Sequence, residues 1–139
     1  MPLNSFLSCG DRRKGFLTVQ SIVMSTSTEG YLVRHTDDLD AHRSTCGFRR
    51  QLFTVDDSAS LSCSVLDIDD AKAHYHQRIT EIYYVLAGEG ELVIEGESVP
   101  VRPGTSVLIR PGTRHQGRGG FRTLVLCSPA FTPDDQYYD

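Results

Sequence analysis

The chain has 139 residues, a formal net charge of -4, and a composition that is 39% hydrophobic and 23% charged. That length suits one domain, and the balance of apolar and charged residues is ordinary for a globular protein. No apolar run approaches the roughly 18 residues that a membrane-spanning helix needs. No basic stripe is present to neutralise phosphates. We therefore expect neither a membrane nor a nucleic acid as a partner.

The N-terminal region is predicted to lie outside the folded domain. Its short apolar patches are interrupted by charged residues at positions 11–14, whereas a secretory signal has positive charge first and an unbroken apolar stretch after it. Met24 then opens a Ser/Thr-rich stretch that is typical of an N terminus, so translation from Met1 or from Met24 stays open. We expect residues 1–29 to form a poorly ordered extension and residues 30–139 to form the domain.

The four cysteines are spread along the chain, and none has the short spacing of a zinc knuckle or a redox motif. Reduced thiols in a cytoplasmic protein are the simplest interpretation, with those in predicted strands acting as small buried hydrophobes. The cysteines are Cys9, Cys46, Cys63 and Cys127.

From residue 47 onward, short runs of aromatic and β-branched residues alternate with turn residues. Residues 30–45 are expected to add one short strand or one helical turn, and residues 129–139 an irregular polar tail. Glu95-Gly96 suits a tight hairpin between two of the strands. The predicted strands are residues 48–55, 61–68, 81–87, 91–95, 97–102, 105–110 and 121–127. Many short strands at close spacing predict an all-β antiparallel sandwich or barrel.

The segment from His74 to Glu81 carries the most informative chemistry. Residues two apart in a strand point to the same face, so His74 and His76 project together and form a half-site for a transition metal. Glu81 opens the next strand. If it faces inward, Tyr83 shares its side, and hairpin pairing brings Glu81 beside the two histidines.

A fourth donor follows the Pro111-Gly112 turn, where His115 begins another strand segment. Three imidazoles and one carboxylate suit Fe, Mn, Ni, Zn, Cu or Co better than metals that prefer thiolates. An octahedral ion with four protein ligands keeps two positions for water, substrate or oxygen.

These residues resemble two motifs of the cupin superfamily. The first, HxHxxxxExxxxxxG, is matched by His74, His76, Glu81 and Gly88. The second, GxxxxxPxGxxH, is matched by Gly104, Gly112 and His115, with Arg110 where the family usually has proline. The resemblance implies a single-domain jelly-roll β-barrel with His74, His76, Glu81 and His115 as metal ligands inside it.

The chain departs from the family pattern at two further positions. Ile68 stands where a glycine usually precedes the first histidine by six residues, and Gly119 stands where an asparagine usually follows the last histidine by four. Both departures concern local turn geometry, and all four ligand positions remain filled.

Two kinds of side chain are candidates for contacting a substrate. Tyr83 is a candidate catalytic residue, because it shares the predicted face of Glu81. Arg49 or Arg50 is a candidate for binding a carboxylate or phosphate. Strand alternation places these two arginines on opposite faces, so at most one of them points inward.

Three functions follow from the predicted site. The favoured one is a dioxygenase acting on a small oxygen-rich substrate that chelates the metal. The alternatives are a sugar isomerase or epimerase resembling mannose-6-phosphate isomerase, which needs a dedicated base, and a non-catalytic barrel that binds a small molecule. Because small cupins commonly dimerise through strands near the N terminus, the resemblance also implies a homodimer, with the strand FRRQLF as the candidate edge.

Overall fold

A computed structural model describes residues 27–28 and 30–138 of the chain. Of the predicted extension, only the two residues of the first strand fall within this range. The remainder, including Met1, Met24 and Cys9, lies outside the described residues. The boundary at residues 29 and 30 therefore stays a prediction.

Nine strands and two short 3-10 helices make up the described part of the chain. The strands are β1 (Ser27–Thr28), β2 (Tyr31–Leu32), β3 (His42–Ser44), β4 (Gly47–Phe53), β5 (Ser62–Asp70), β6 (Thr80–Ile94), β7 (Glu97–Val101), β8 (Ser106–Ile109) and β9 (His115–Ser128). The helical turns are Thr36–Asp38 and Pro133–Asp135. Neither helical turn in the described ranges is long or apolar enough to cross a bilayer.

The main sheet is antiparallel, with the strand order β3-β4-β5-β9-β6-β7, and β8 pairs with the first half of β6. A separate small sheet consists of β1 and β2. The longest pairing joins β6 to β9, from Thr80 opposite Ser128 to Ile94 opposite His115. This architecture confirms the predicted all-β jelly-roll class.

The strand boundaries differ most from the prediction in β6 and β9. Residues 81–87 and 91–94 belong to one continuous strand, and β9 begins six residues before the predicted start at residue 121. The glycines responsible for the predicted breaks lie inside the strands. Gly88 has a φ of +77°, and a Cβ there would lie 2.3 Å from the carbonyl oxygen of Gly120. Glycine therefore permits close approach of the two strands, next to the register shift between Val85 and Ala87.

The hairpin predicted at Glu95-Gly96 is confirmed. Ile94 pairs with Glu97, and the two turn residues have φ values of 49° and 83°. Positive φ at both central residues is what a type I′ turn requires, and that turn matches the twist of the flanking strands.

The inner face of the sheet carries the core. Along β6, Glu81, Tyr83 and Val85 are buried, whereas Tyr84 and Leu86 are exposed, as the predicted alternation requires. Cys46, Cys63 and Cys127 are buried free thiols. Burial was expected of Cys63 and Cys127, which lie in predicted strands. The core residues packed together include Leu66, Ile68, Leu92, Val101, Ile109, Phe121 and Val125.

The FRRQLF strand is only partly exposed at the sheet edge. β3 pairs with the residues from Gly47 to Arg49, whereas no β3 partner covers the rest of β4. The predicted edge is therefore shorter than the sequence indicated, since part of residues 30–45 forms β3 and covers it. The homodimer stays a prediction, and sedimentation velocity at micromolar concentration tests it.

Candidate metal centre

Four side chains from separate parts of the chain converge in the interior. They are His74, His76, Glu81 and His115, each no more than 3% exposed. One ligand atom from each lies within 4.8 Å of the others. Oε2 of Glu81 is 2.9 Å from Nε2 of His115 and 3.5 Å from Nε2 of His76. The four residues singled out in the sequence therefore form one compact donor cluster.

The histidine segment reaches this cluster by pairing with the start of β9. The backbone amides of His74 and His115 each donate to the other's carbonyl, at 3.0 and 2.9 Å. Glu81 lies on β6 opposite Cys127 of β9 and Ile109 of β8. The predicted hairpin between His74-His76 and the Glu81 strand is thus wrong.

The physical reason lies in residues 77–79, which would have formed the turn of that hairpin. Their three backbone amides donate to the buried carboxylate of Asp135, at 3.3, 3.1 and 3.1 Å. Residues 77–79 are therefore bound to the C-terminal part of the chain. As a result, β6 begins without pairing with His74 or His76.

The orientation of all three imidazoles is fixed by backbone carbonyl oxygens. Nδ1 of His74 lies 2.9 Å from the oxygen of Lys72, and Nδ1 of His115 lies 3.0 Å from that of Thr113. Nδ1 of His76 lies 2.7 Å from the oxygen of Asp135. Because a carbonyl only accepts, each Nδ1 carries the proton, and each Nε2 presents its lone pair to the cluster.

Electrostatics favour a neutral histidine beside an ionised carboxylate. Burial, reinforced by the neighbouring His115, lowers the pKa of His74 to about 4. Burial acts to raise the pKa of Glu81, but positive charge on the close His115 and on the other imidazoles, when they are protonated, outweighs burial and lowers that pKa to about 2. Oε2 of Glu81 and Nε2 of His115 are both buried and lack hydrogen-bond partners among the described residues. Two acceptors 2.9 Å apart repel each other unless a cation or an extra proton is shared between them.

The donor set therefore fits a divalent transition metal. Three imidazole nitrogens and one carboxylate oxygen match the preferences of Fe, Mn, Ni, Zn and Cu. The Nδ1–H bonds to carbonyl oxygens are the outer contacts that usually fix the tautomer of a metal-binding histidine.

Three neutral side chains contact the cluster. Sγ of Cys127 donates to Oε1 of Glu81 at 3.5 Å, which leaves Oε2 directed at the imidazoles. The ring centroids of Tyr83 and His115 are 6.0 Å apart, as are those of Phe131 and His76. Burial raises the pKa of Cys127 and that of Tyr83 well above their ordinary values, so both groups stay protonated.

The structure separates the two candidate arginines. Arg50 lies on the outer face and donates to Asp67 at 3.0 Å. Arg49 is half-buried on the inner face, with its guanidinium carbon 4.6 Å from the ring centroid of Phe131. Only Arg49 therefore faces the interior that holds the cluster.

The C-terminal residues are the part of the site that sequence reasoning missed. Residues 129–139 were expected to be an irregular tail, yet Phe131 contacts His76 and Asp135 is 1% exposed. Tyr137 pairs with Tyr75 through two backbone hydrogen bonds of 3.1 and 3.0 Å. No local pattern could have revealed this, because the contacts join residues 55 to 62 positions apart.

Comparisons with known proteins agree with this fold. Residues 68–122 match the family model described as a cupin domain. A protein from Planctomyces limnophilus is 28% identical, with a TM-score of 0.71 over 76% of this chain and 95% of the other. Streptomyces Pac13, described as a nucleoside dehydratase, is 18% identical, with a TM-score of 0.68 over 76% and 88%. Ectoine synthase from P. lautus is 21% identical, with a TM-score of 0.66 over 77% and 88%. No curated protein matches the chain significantly by sequence.

Proposed function

Since the chain belongs to the cupin superfamily, we propose that it is a metalloenzyme whose metal is held by His74, His76, Glu81 and His115. Its substrate is a small molecule that chelates the metal through adjacent oxygens. Within this class we propose a dioxygenase. The cytoplasm is its proposed location, in keeping with the buried free thiols.

One observation carries the proposal of metal binding. Three Nδ1 atoms are each committed to a carbonyl oxygen, so three Nε2 lone pairs and a carboxylate point toward the same buried volume. Burying four electron-pair donors together costs free energy that a shared cation offsets. Side chains that only packed in the hydrophobic core would not need to direct these nitrogen and oxygen atoms at one another.

Each part of the chain has a definable role in such an enzyme. A bound metal supplies Lewis-acid polarisation of substrate oxygens and, if redox-active, electron transfer with oxygen. The Cys127 thiol holds the Glu81 carboxylate so that Oε2 faces the histidines. The Tyr83 ring lies beside His115, and in this proposal its hydroxyl donates a hydrogen bond to a substrate oxygen.

The protonation states of the surrounding groups favour a dioxygenase over an isomerase or epimerase. An isomerase needs a base that takes up a substrate proton near neutral pH. Burial raises the pKa of Cys46 to about 12 and also raises those of Tyr83 and Cys127. These side chains hold their protons, so none of them suits the role of that base.

The test is elemental analysis of the purified protein, followed by oxygen-uptake screening of the iron-loaded form with small chelating acids and diols. We expect near-stoichiometric metal and substrate-dependent uptake. Bound metal without uptake for any substrate shifts the function to an isomerase or to a non-catalytic binding protein.

A pair of histidine variants identifies the site itself. His76→Ala should lose most of the bound metal, because the variant removes one of four buried donors. His42→Ala, an exposed histidine on β3, should keep the metal content of the wild type. Equal metal content in the two variants, with unchanged circular dichroism, would contradict the proposed site.

A further inference from the structure

Arg49 differs from most of the arginines in its charge partners. Its Nε atom is buried and has no hydrogen-bond partner among the described residues. Six other arginines in the described part of the chain each lie within 4 Å of a carboxylate. These are Arg34, Arg43, Arg50, Arg78, Arg118 and Arg122. Arg49 thus places a positive charge inside the barrel, and no carboxylate of the described residues accepts a hydrogen bond from its Nε.

Its position on β4 explains why the side chain points inward. Arg49 pairs with Leu66 of β5, which belongs to the core cluster inside the barrel, whereas its neighbour Arg50 pairs with Val65, which lies outside that cluster, and reaches Asp67 on the outer face. Residues opposite each other in an antiparallel pair share a face. The inward direction is therefore set by the register of β4 and β5.

The ring of Phe131 contacts both Arg49 and the donor cluster. The guanidinium carbon lies 4.6 Å from the centroid of the Phe131 ring, and that ring contacts the imidazole of His76 edge-on at 6.0 Å. A molecule bound beside the cluster would therefore lie within reach of the guanidinium.

A buried guanidinium N–H without an acceptor is costly, since its hydration is lost and not replaced. A ligand that brings the acceptor removes that cost. One guanidinium presents a planar fork of donors that matches one planar carboxylate, whereas a phosphate brings up to two negative charges. The single charge of Arg49 thus suits a carboxylate better.

We propose that Arg49 binds a carboxylate group of the substrate, so that this site takes a small carboxylic acid with metal-chelating oxygens at its other end. This rests on the proposed function, because it takes the chelating end as bound at the histidine cluster. It narrows the substrate class from oxygen-rich molecules in general to those that carry a carboxylate away from the chelating end.

The test uses matched pairs of acids that share one chelating end and one chain length. They are malate with 2-hydroxybutanoate, 2-oxoglutarate with 2-oxopentanoate, and 2-oxoadipate with 2-oxohexanoate. Binding to the Co(II)-loaded protein is measured by calorimetry and by the visible absorption of the metal. We expect at least one pair to show a preference of about tenfold or more for the dicarboxylate.

Variants at positions 49 and 50 test whether the preference for dicarboxylates depends on Arg49. Arg49→Gln should abolish it, Arg49→Lys should retain part of it, and Arg50→Gln should leave it unchanged as the matched control. A preference that survives in Arg49→Gln, or none in any pair, would overturn the inference. Inorganic phosphate competing more strongly than every dicarboxylate would overturn the assignment to a carboxylate.

Measuring the metal content of each protein distinguishes a failure of this inference from a failure of the proposed function. Cobalt is quantified in the wild type and in each variant before titration. A wild type that binds no metal contradicts the proposed function. A wild type that binds cobalt but shows no preference dependent on Arg49 contradicts the substrate inference alone.

Discussion

Nδ1 of His76 lies 2.7 Å from the backbone oxygen of Asp135, fifty-nine residues later in the chain. The side chain of the same aspartate accepts hydrogen bonds from the backbone amides of residues 77–79 and from Nε of Arg78. Asp135 therefore fixes both the ring of a candidate ligand and the segment that connects this ligand to Glu81. The C-terminal residues are part of the site.

Asp135→Asn should weaken metal binding and the fold together. The amide nitrogen of asparagine cannot accept from the backbone amides, so at least one buried donor is left without a partner. We expect a loss of roughly 1–3 kcal/mol in the free energy of unfolding and about 10–100-fold in metal affinity. Chemical denaturation and competition with a metal indicator measure the two effects.

The adjacent aspartate supplies the control for this prediction. Asp134 is exposed and its carboxylate contacts Arg78 at 2.8 Å, so Asp134→Asn should change stability by no more than about 0.5 kcal/mol and leave metal affinity as it is. Equal metal affinities in the Asn variants at 134 and 135 would show that the carboxylate of Asp135 does not support the position of His76.

The sequence predicted which donor side chains come together far better than it predicted what encloses them. Alternation placed Glu81 and Tyr83 on one face because the side-chain period of a strand is two residues, and the structure confirms this. The contact between His76 and Asp135 has no local signature, since it joins distant residues through a backbone oxygen that any residue could supply. Likewise, the glycines in β6 and β9 indicated turns, and only the packing of the two strands shows that they permit close approach.

Tyr83→Phe should separate the role of the phenol from that of the ring. The ring packs in the core beside His115, so the variant should keep its metal and its fold. Loss of the hydroxyl should lower kcat by about 10–100-fold if it donates to the substrate in the transition state. Steady-state kinetics with a substrate found by oxygen uptake measures the effect.

Tyr84→Phe is the matched control, because Tyr84 is the next residue along β6 and is 46% exposed on the outer face. It should keep the kcat and KM of the wild type. If Tyr83→Phe also keeps its kcat, Tyr83 is a core residue and has no catalytic role.

Gly117 and Ile68 form a complementary pair in the core. A Cβ on Gly117 would lie 2.8 Å from Cγ2 of Ile68, closer than real Cβ atoms come to a neighbour. Ile68 stands where the cupin pattern usually has glycine, so the small residue is found on the facing strand instead. Gly117→Ala should therefore destabilise the protein by about 1–3 kcal/mol through overpacking.

A double-mutant cycle tests whether Ile68 is the cause. Ile68→Ala alone should cost about 2–5 kcal/mol because it opens a cavity. The double variant should be more stable than the sum of the two losses predicts, since removal of Cγ2 makes room for the new methyl group. Additive losses in chemical denaturation would mean that Gly117 is required for another reason.

The acid stability of the protein should depend on the ion pair between Arg34 and Asp57. Two hydrogen bonds, of 2.5 and 2.8 Å, join the guanidinium to the carboxylate. They act together with the backbone amide of Thr54 to lower the pKa of Asp57 from 3.8 to about 2. Because the folded-state pKa lies below the unfolded one, the resulting stability is fully present above pH 3.8 and is lost as the pH falls through 2.

That lowering corresponds to roughly 2 kcal/mol at neutral pH, and solvent screening of the partly exposed pair reduces it to about 1 kcal/mol. Asp57→Asn should lose this contribution at pH 7 and show a flatter decline in unfolding free energy between pH 4 and 2. Asp56→Asn, at an exposed neighbouring position, should follow the wild-type profile. Parallel pH profiles for wild type and Asp57→Asn would mean that another carboxylate controls acid unfolding.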